Sequence, residues 1–228
     1  MAYAAVQQKD ATSASASSLA TGNFASNITA GNLIWVVCRV ASGVTANTPT
    51  DTVGNTYTLI GSCTTAGISV LYHWYAKNVT GGTNSVTVGS TGGPGNMDVY
   101  ASEWSGFDQS APLLGHNELW SNPGTGSADS VVSGTATVTT TGAGVLGFDH
   151  DVNGRSHTNP GDEGTGFTAL ANAYGGNGIG MPEHKRVTSN GTYQATFDDP
   201  AFDQHLCVMA IFAEGGASVK RLMTLGVG

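Results

Sequence analysis

The residues whose types and spacing could bind a metal ion lie in the segment Asp149 to Gly154, with the sequence DHDVNG. Asp149, Asp151 and Asn153 alternate before a glycine, as do the first oxygen ligands and the sharp turn of a calcium-binding loop. The acid that closes such a loop at its twelfth position is replaced by Pro160. Two interpretations therefore stay open, a weak calcium site and an ordinary turn between two strands.

Other side chains indicate the binding of a partner. Exposed aromatic rings stack on sugars, and Trp104 and Trp120 are the candidates, whereas Trp35 and Trp74 lie in apolar runs and are expected in the core. The alternative for Trp104 and Trp120 is partial burial under a long loop. The remaining candidate partner-binding residues are His116 and, near the C-terminus, Lys220, Arg221, Leu222, Met223 and Leu225.

Catalytic patterns are missing from the sequence. It contains no nucleophile elbow, phosphate-binding loop, paired-cysteine zinc ribbon or HExxH motif. Asp98 and Glu103 could suggest a glycosidase, but residues five apart on one extended strand point to opposite faces. His73 alternates with Trp74 inside a strand, which favours a packed or interface side chain over a ligand. We expect a non-enzymatic protein, with a glycosidase or lyase of the jelly-roll type as the enzymatic alternative.

The charge balance argues against nucleic acid and membranes as partners. Lys and Arg number 8 against 16 Asp and Glu, a net charge of -8, and no basic stripe is present. The wholly apolar run at residues 33–38 is far too short to cross a bilayer. The first residues lack the apolar region of a signal peptide, and the three cysteines follow no disulfide pattern. We expect synthesis in a cytosol and buried free thiols.

The elements that must position these residues are β-strands. With 33 Gly and only 11% charged residues, the composition is poor in residues that solvate helices and rich in those that form strands and tight turns. Period-two patterns predict strands near 3–8, 31–40, 55–61, 67–77, 84–89, 97–105, 134–139, 143–150, 166–172, 179–187, 192–198 and 205–214.

The strands form two similar series. The segment Gly82–Val88 matches Gly191–Phe197 at an offset of 109, and Val99–Ala101 matches Val208–Ala210 at the same offset. Two further matches, Tyr57-Thr58 with Phe167-Thr168 and Gly31–Ile34 with Gly142–Val145, lie at offsets of 110 and 111. Because the matches keep the same order with nearly the same offset, they predict a duplicated unit.

One such unit alone would leave an apolar sheet face bare, so the two units are expected to pack together. The predicted fold is all-β, a jelly-roll-like β-sandwich built from two similar Greek-key-type units. The predicted domain covers residues 1–214, with pseudo-repeats at about 28–106 and 140–215 and a connecting loop at 107–131. Residues 215–228 begin with two glycines, continue as an apolar tail, and are predicted to dock on a partner surface.

Four segments carry a family resemblance. They are Gly31–Leu33, Asp51–Leu59 with the sequence DTVGNTYTL, Trp74–Ala76, and Gly81–Val88 with the sequence GGTNSVTV. Over roughly residues 28–110 the chain resembles a diffuse group of β-sandwich proteins and modules from tailed-bacteriophage virions and environmental bacteria. The resemblance implies a role as virion decoration, fibre or adhesion part, and it implies no catalytic residues.

These observations together predict a non-enzymatic virion structural protein. The expected role is a capsid decoration or cement protein that binds the major capsid protein or another virion protein on the outer shell. It is expected to form homo-oligomers, with a trimer favoured, after assembly in the host cytoplasm. No cofactor is expected apart from the calcium interpretation above. The alternative is a glycan- or receptor-binding module of a tail fibre or cell-surface adhesin.

Overall fold

The computed structural model describes residues 2–65, 67–121, 131–152, 157, 161–171, 173, 180–198 and 204–216. These residues form β-strands and turns without a helix, so the all-β prediction is confirmed for the described part of the chain. It follows that no described helix offers a membrane-spanning segment. The strands are β1 (Ala4–Ala16), β2 (Ser18–Asn23), β3 (Leu33–Ala41), β4 (Thr45–Ala46), β5 (Thr50–Asp51), β6 (Thr58–Thr65), β7 (Ser69–Ala76), β8 (Ser85–Thr91), β9 (Gly95–Ser105), β10 (Leu113–Ser121), β11 (Val131–Val132), β12 (Ala136–Val138), β13 (Ala143–Asp151), β14 (Thr168–Ala169), β15 (Gly180–Val187), β16 (Gly191–Tyr193), β17 (Thr196–Phe197) and β18 (His205–Ala213).

Two large antiparallel sheets dominate the molecule. The first large sheet has the strand order β1-β9-β3-β7-β6, and the second has the order β10-β18-β13-β15-β14. Smaller sheets accompany them: β8 pairs with β2, β4 and β5, and the pairs β11-β17 and β12-β16 belong to the second half of the chain. In the first half of the chain, the first strand, β1, pairs with the last strand, β9. In the second half, β10 pairs with β18 in the same way. The two large sheets therefore place equivalent strands in the same order.

Both faces of each large sheet are covered by apolar side chains. Along β3, Leu33, Trp35 and Val37 belong to a central cluster that also contains residues of the second large sheet, such as Phe148 and Phe212. The alternating residues of β3, Ile34 to Val40, belong instead to an outer cluster shared with β2, β4 and β8. A third cluster lies between the second large sheet and β11, β12 and β17. This layering explains why both the odd-numbered and the even-numbered residues of β3 are apolar. One face of the strand packs toward the second large sheet, and the other packs toward the small sheet of β2, β4 and β8.

The pairing register limits which residues of the two halves can be equivalent, because equivalent residues must face the same way. Val37 pairs with Tyr100 in the first large sheet, and Phe148 pairs with Val208 in the second. These four residues all lie in the central cluster. The sequence match at 109 placed Tyr100 against Met209, which belongs to the outer cluster of the second half. A shift of one residue reverses the face of a strand, so the register corrects that match.

The segment predicted as the connecting loop 107–131 contains a strand. Residues Leu113–Ser121 form β10, which pairs with β18 at the edge of the second large sheet. A register shift between Leu113 and Gly115 disrupts the period-two pattern that would have revealed this strand. Residues 122–130 lie outside the described residues, as do residues 217–228 of the predicted docking tail. The division into one domain and a tail therefore stays a prediction.

The motif DTVGNTY at Asp51–Tyr57, on which the family resemblance depends, closes a turn around one carboxylate. Three backbone N–H groups donate to Oδ1 of Asp51 at 2.8–3.3 Å, those of Val53, Gly54 and Asn55. Three side chains donate to its Oδ2 at 2.8–3.0 Å, those of Asn55, Tyr57 and Asn84. Burial opposes ionisation of Asp51, but these hydrogen bonds outweigh it and hold its pKa below the ordinary value. Because Asn84 belongs to the GGTNSVTV motif, this hydrogen bond joins that motif to DTVGNTY.

Candidate functional site

Two of the predicted partner-binding residues lie exposed on β10. The Trp120 residue is 42% exposed, and the neighbouring Leu119 is 38% exposed. The His116 side chain, on the same strand, is 41% exposed. Among the described strands β10 pairs only with β18, so the backbone groups of its outer edge have no partner strand. The structure thus places Trp120 and His116 on one strand, in a segment that the sequence predicted as a connecting loop.

Trp104 lies elsewhere and is fully buried. Its indole N–H donates to Ser102 Oγ at 2.8 Å, and its ring contacts the rings of Tyr3 and His184 in the central cluster. A sugar cannot stack on a ring in this position, so Trp104 is a core residue of the folded chain and not a surface aromatic. The tail candidates lie outside the described residues: Lys220, Arg221, Leu222, Met223 and Leu225.

The strand β10 also carries a polar cluster that joins the two large sheets. Glu118 Oε1 lies 2.7 Å from Nε2 of His73, which is on β7, and 2.8 Å from Nδ1 of His116. The three ligand-type atoms all lie within 4.8 Å of one another. His73 is fully buried, whereas Glu118 and His116 reach the surface. One carboxylate thus holds two imidazoles, one from each half of the chain.

The protonation states in this cluster follow from its environment. Burial lowers the pKa of His73, which favours the neutral imidazole. Burial would raise the pKa of Glu118, but hydrogen bonds from His73 and His116 outweigh it, and the net pKa lies below the ordinary value. The Trp35 indole N–H donates to Nδ1 of His73 at 3.4 Å, so Nε2 carries the proton that faces Glu118. The cluster is therefore an ionised carboxylate with a neutral buried histidine.

A second polar cluster surrounds Asp149 inside the second half. Its Oδ2 lies 2.8 Å from Nδ1 of His205 and 3.5 Å from Nε2 of His157, while its Oδ1 accepts from Cys207 Sγ at 3.1 Å. All four residues are buried. Burial raises the pKa of Asp149, but the neighbouring His205 more than compensates and the net shift is downward.

This arrangement does not match the opening of a calcium loop. Asp149 and Asp151 are buried residues at the end of β13, and Asn153 lies outside the described residues. Both oxygens of Asp149 already have protein partners, and those partners supply nitrogen and sulfur, which are poor ligands for a hard cation. The described geometry thus favours a buried structural network over the calcium interpretation.

Two further groups near Asp149 have properties that oppose nucleophilic catalysis. Burial is the main cause that raises the pKa of Cys207 well above its ordinary value, and the Asp149 charge adds to it, so the thiol stays protonated. Burial also raises the pKa of Glu183 to about 9, with contributions from Asp149 and Glu163. Glu183 Oε2 accepts the backbone N–H of Gly164 at 3.0 Å. Both groups therefore stay protonated near neutral pH beside the ionised Asp149, and neither is an activated nucleophile.

Sequence reasoning missed the partnership of His73 with Glu118, which are 45 residues apart. The signal that could have indicated it is the spacing of His116 and Glu118. Two residues apart on a strand, they share one face, and an acid beside a histidine on one face is a potential ligand pair.

Comparisons of the chain with protein-family models, with curated proteins and with solved structures found no match.

Proposed function

We propose that this chain is a non-enzymatic virion structural protein of a tailed bacteriophage, a decoration or cement protein that binds and stabilises the outer capsid surface. The observation that carries the proposal is the exposed edge of β10 with Leu119 and Trp120. Its partner is the major capsid protein or another virion protein, and neither nucleic acid nor a membrane is involved. The protein assembles in the host cytoplasm as a homo-oligomer, with a trimer favoured.

The strand order supports a jelly-roll-like architecture for this proposal. In the first half, β1 pairs with β9 and β9 with β3, while β2 pairs with β8 in a facing sheet. Pairing of the first strand with the last, and of the second with the last but one, is the strand arrangement of a jelly roll. We propose that each half has this jelly-roll-like arrangement. Jelly rolls occur in viral capsid and lectin domains, which is an analogy of fold and leaves the function to the surface.

The β10 edge provides the physical basis for assembly. An open strand edge presents unpaired N–H and C=O groups that another chain can use as a template. Tryptophan side chains supply much of the binding energy at interfaces, and truncating one at an interface centre costs about 2 kcal/mol or more. The low charge of the chain fits this role, because a surface that faces other subunits has less need of charge for solubility.

The test is co-sedimentation with undecorated capsids from the same phage, together with sedimentation velocity of the free protein. We expect wild type to pellet with the capsids and Trp120→Ala to weaken this binding at least about tenfold, from the hot-spot energy above. Ile68→Ala is the matched control, since Ile68 is 39% exposed but lies in the turn between β6 and β7. The proposal fails if wild type stays in the supernatant at low salt.

The exposure of Trp120 also favours the second candidate, a glycan- or receptor-binding module of a fibre or adhesin. A partly exposed indole offers a face on which a sugar ring can stack. A glycan array separates the candidates. Binding of defined glycans that disappears in Trp120→Ala, without capsid binding by wild type, would replace the decoration role by this one.

A further inference from the structure

We propose that His73, His116 and Glu118 form a binding site for one divalent transition-metal ion, with Zn²⁺ as the best fit, that cross-links the two halves of the chain. The ligand atoms are Nε2 of His73, Nδ1 of His116 and Oε1 of Glu118, which lie within 4.8 Å of one another. His73 comes from the first large sheet, and the other two ligands come from β10 of the second. The inference does not depend on the virion role.

The chemistry of the donors selects the class of metal. Two imidazole nitrogens and one carboxylate oxygen suit Zn²⁺ and its neighbours among the first-row transition metals, whereas Ca²⁺ and Mg²⁺ prefer oxygen ligands alone. Zn²⁺ is usually four-coordinate. The His116 side chain is 41% exposed, so water can supply the fourth ligand from the solvent side.

The distances require only small movements for coordination. Zn–N and Zn–O bonds of about 2.0–2.2 Å place tetrahedral ligand atoms roughly 3.4 Å apart. Glu118 Oε1 now lies 2.7 Å from His73 Nε2 and 2.8 Å from His116 Nδ1. The Oε1–Nε2 distance to His73 must therefore lengthen by about 0.7 Å, and the Oε1–Nδ1 distance to His116 by about 0.6 Å. The exposed His116 and the partly exposed Glu118 can make this movement while the buried His73 stays fixed.

Metal binding decides which ring nitrogen of each histidine can carry a proton. Nε2 of His73 and Nδ1 of His116 must each present a lone pair, so the ring proton moves to the other nitrogen of each imidazole. On His116 that nitrogen is free to face solvent. On His73 it is Nδ1, which faces the Trp35 indole N–H at 3.4 Å. Coordination therefore leaves two buried donors, this N–H and the indole N–H, without an acceptor, a cost that the metal–ligand bonds must offset.

Gly61 on β6 makes room for the carboxylate. A Cβ atom at this position would lie 2.2 Å from Glu118 Oε1. Gly61→Ala would therefore displace the Glu118 carboxylate from its present position without removing a ligand. This substitution provides a test of the geometry, because Gly61 has no left-handed backbone conformation that alanine would disfavour.

The experiment is titration of the purified metal-free chain with ZnCl₂ in competition with a chromophoric chelator, and with CoCl₂ followed by visible absorption. We expect one tight Zn²⁺ per chain, a Co²⁺ spectrum of low coordination number and a raised melting temperature. His116→Ala changes an exposed residue and removes one metal ligand. Loss of a residue that only hydrogen-bonds to a metal ligand already weakens metal binding about tenfold or more, so His116→Ala should weaken Zn²⁺ binding at least tenfold. Gly61→Ala should weaken it in the same direction.

His184→Gln is the matched control. His184 is a half-buried histidine that contacts Tyr3 and lies outside the cluster of His73, His116 and Glu118. It should bind Zn²⁺ as wild type does. Absence of stoichiometric Zn²⁺ binding by wild type would overturn the proposal. So would Zn²⁺ affinity that is unchanged in His116→Ala, since the ion would then occupy another site such as the Asp149 cluster.

Discussion

Replacing Asp51 by alanine tests whether its hydrogen bonds, which join the motifs DTVGNTY and GGTNSVTV, stabilise the fold. The substitution leaves two buried donors without an acceptor, the Tyr57 hydroxyl and the Asn84 amide. An unsatisfied buried donor costs about 1–3 kcal/mol, whereas the backbone N–H groups of the turn can bind water instead. We expect a loss of about 3–4 kcal/mol in the free energy of unfolding. For a chain of this size each kcal/mol corresponds to roughly 2–4 °C in melting temperature.

Urea unfolding followed by tryptophan fluorescence measures this loss, and Asp108→Ala is the matched control. Asp108 also closes a turn, and its Oδ1 accepts from the Ser110 and Ala111 backbone and from the Ser110 hydroxyl at 2.8–2.9 Å. These donors lie at the surface, so water replaces the carboxylate and the loss should stay below about 1 kcal/mol. The reasoning is refuted if Asp51→Ala loses no more stability than Asp108→Ala.

Three further predictions concern acid, base and packing. The folded-state pKa of Asp51 lies below its ordinary value of 3.8, so its stabilisation is complete above that pH and is lost as the pH falls through the folded-state pKa. Wild type should therefore lose more free energy of unfolding than Asp51→Asn between about pH 5 and pH 2 in urea titrations. Burial raises the pKa of Glu183 from 4.5 to about 9, so folding retains a proton that the unfolded chain releases over that range. The free energy of unfolding should therefore fall as the pH rises through this window, and Glu183→Gln should remove that fall. Urea unfolding of both proteins at about pH 5 and pH 8.5 measures the difference. Gly164→Ala should cost at least about 2 kcal/mol, because its Cβ would lie 1.8 Å from the carbonyl oxygen of Thr196, whereas Gly89→Ala, with its nearest neighbour at 3.3 Å, should melt near wild type.

The central strands could be predicted from the sequence because each carries an apolar signal along its length. The segments predicted at 31–40, 97–105, 143–150 and 205–214 agree closely with β3, β9, β13 and β18. All four lie in the middle of a large sheet with both faces buried, so nearly every residue is selected for packing. The Asp51 turn was also visible as a motif, although its role as a hydrogen-bond acceptor required the structure.

Two of the edge strands, β1 and β10, could not be predicted in the same way. The predicted strand 3–8 is the first part of β1, which continues to Ala16 through a polar sequence, and β10 was expected to be a loop. Edge strands are ordered by backbone hydrogen bonds to a neighbour, here β9 and β18, and these bonds leave no trace in side-chain periodicity.

The candidate site was only partly accessible to sequence reasoning. Trp104 and Trp120 have similar local sequences in a strand, yet one is buried and the other is 42% exposed, because Trp104 lies on the inner strand β9 and Trp120 lies near the end of the edge strand β10. The contact between His73 and Glu118 exists because the two large sheets pack face to face. Neither outcome follows from local pattern, since both depend on where the fold places each strand relative to the others.

The most direct test of the assembly role is an electron cryomicroscopy map of the native virion shell with this protein bound. The account predicts density for the chain on the outer surface, in symmetric oligomers, with the β10 edge and Trp120 buried against a neighbouring subunit or the capsid. A shell that carries no such density, or one in which the β10 edge faces solvent in every copy, would contradict it.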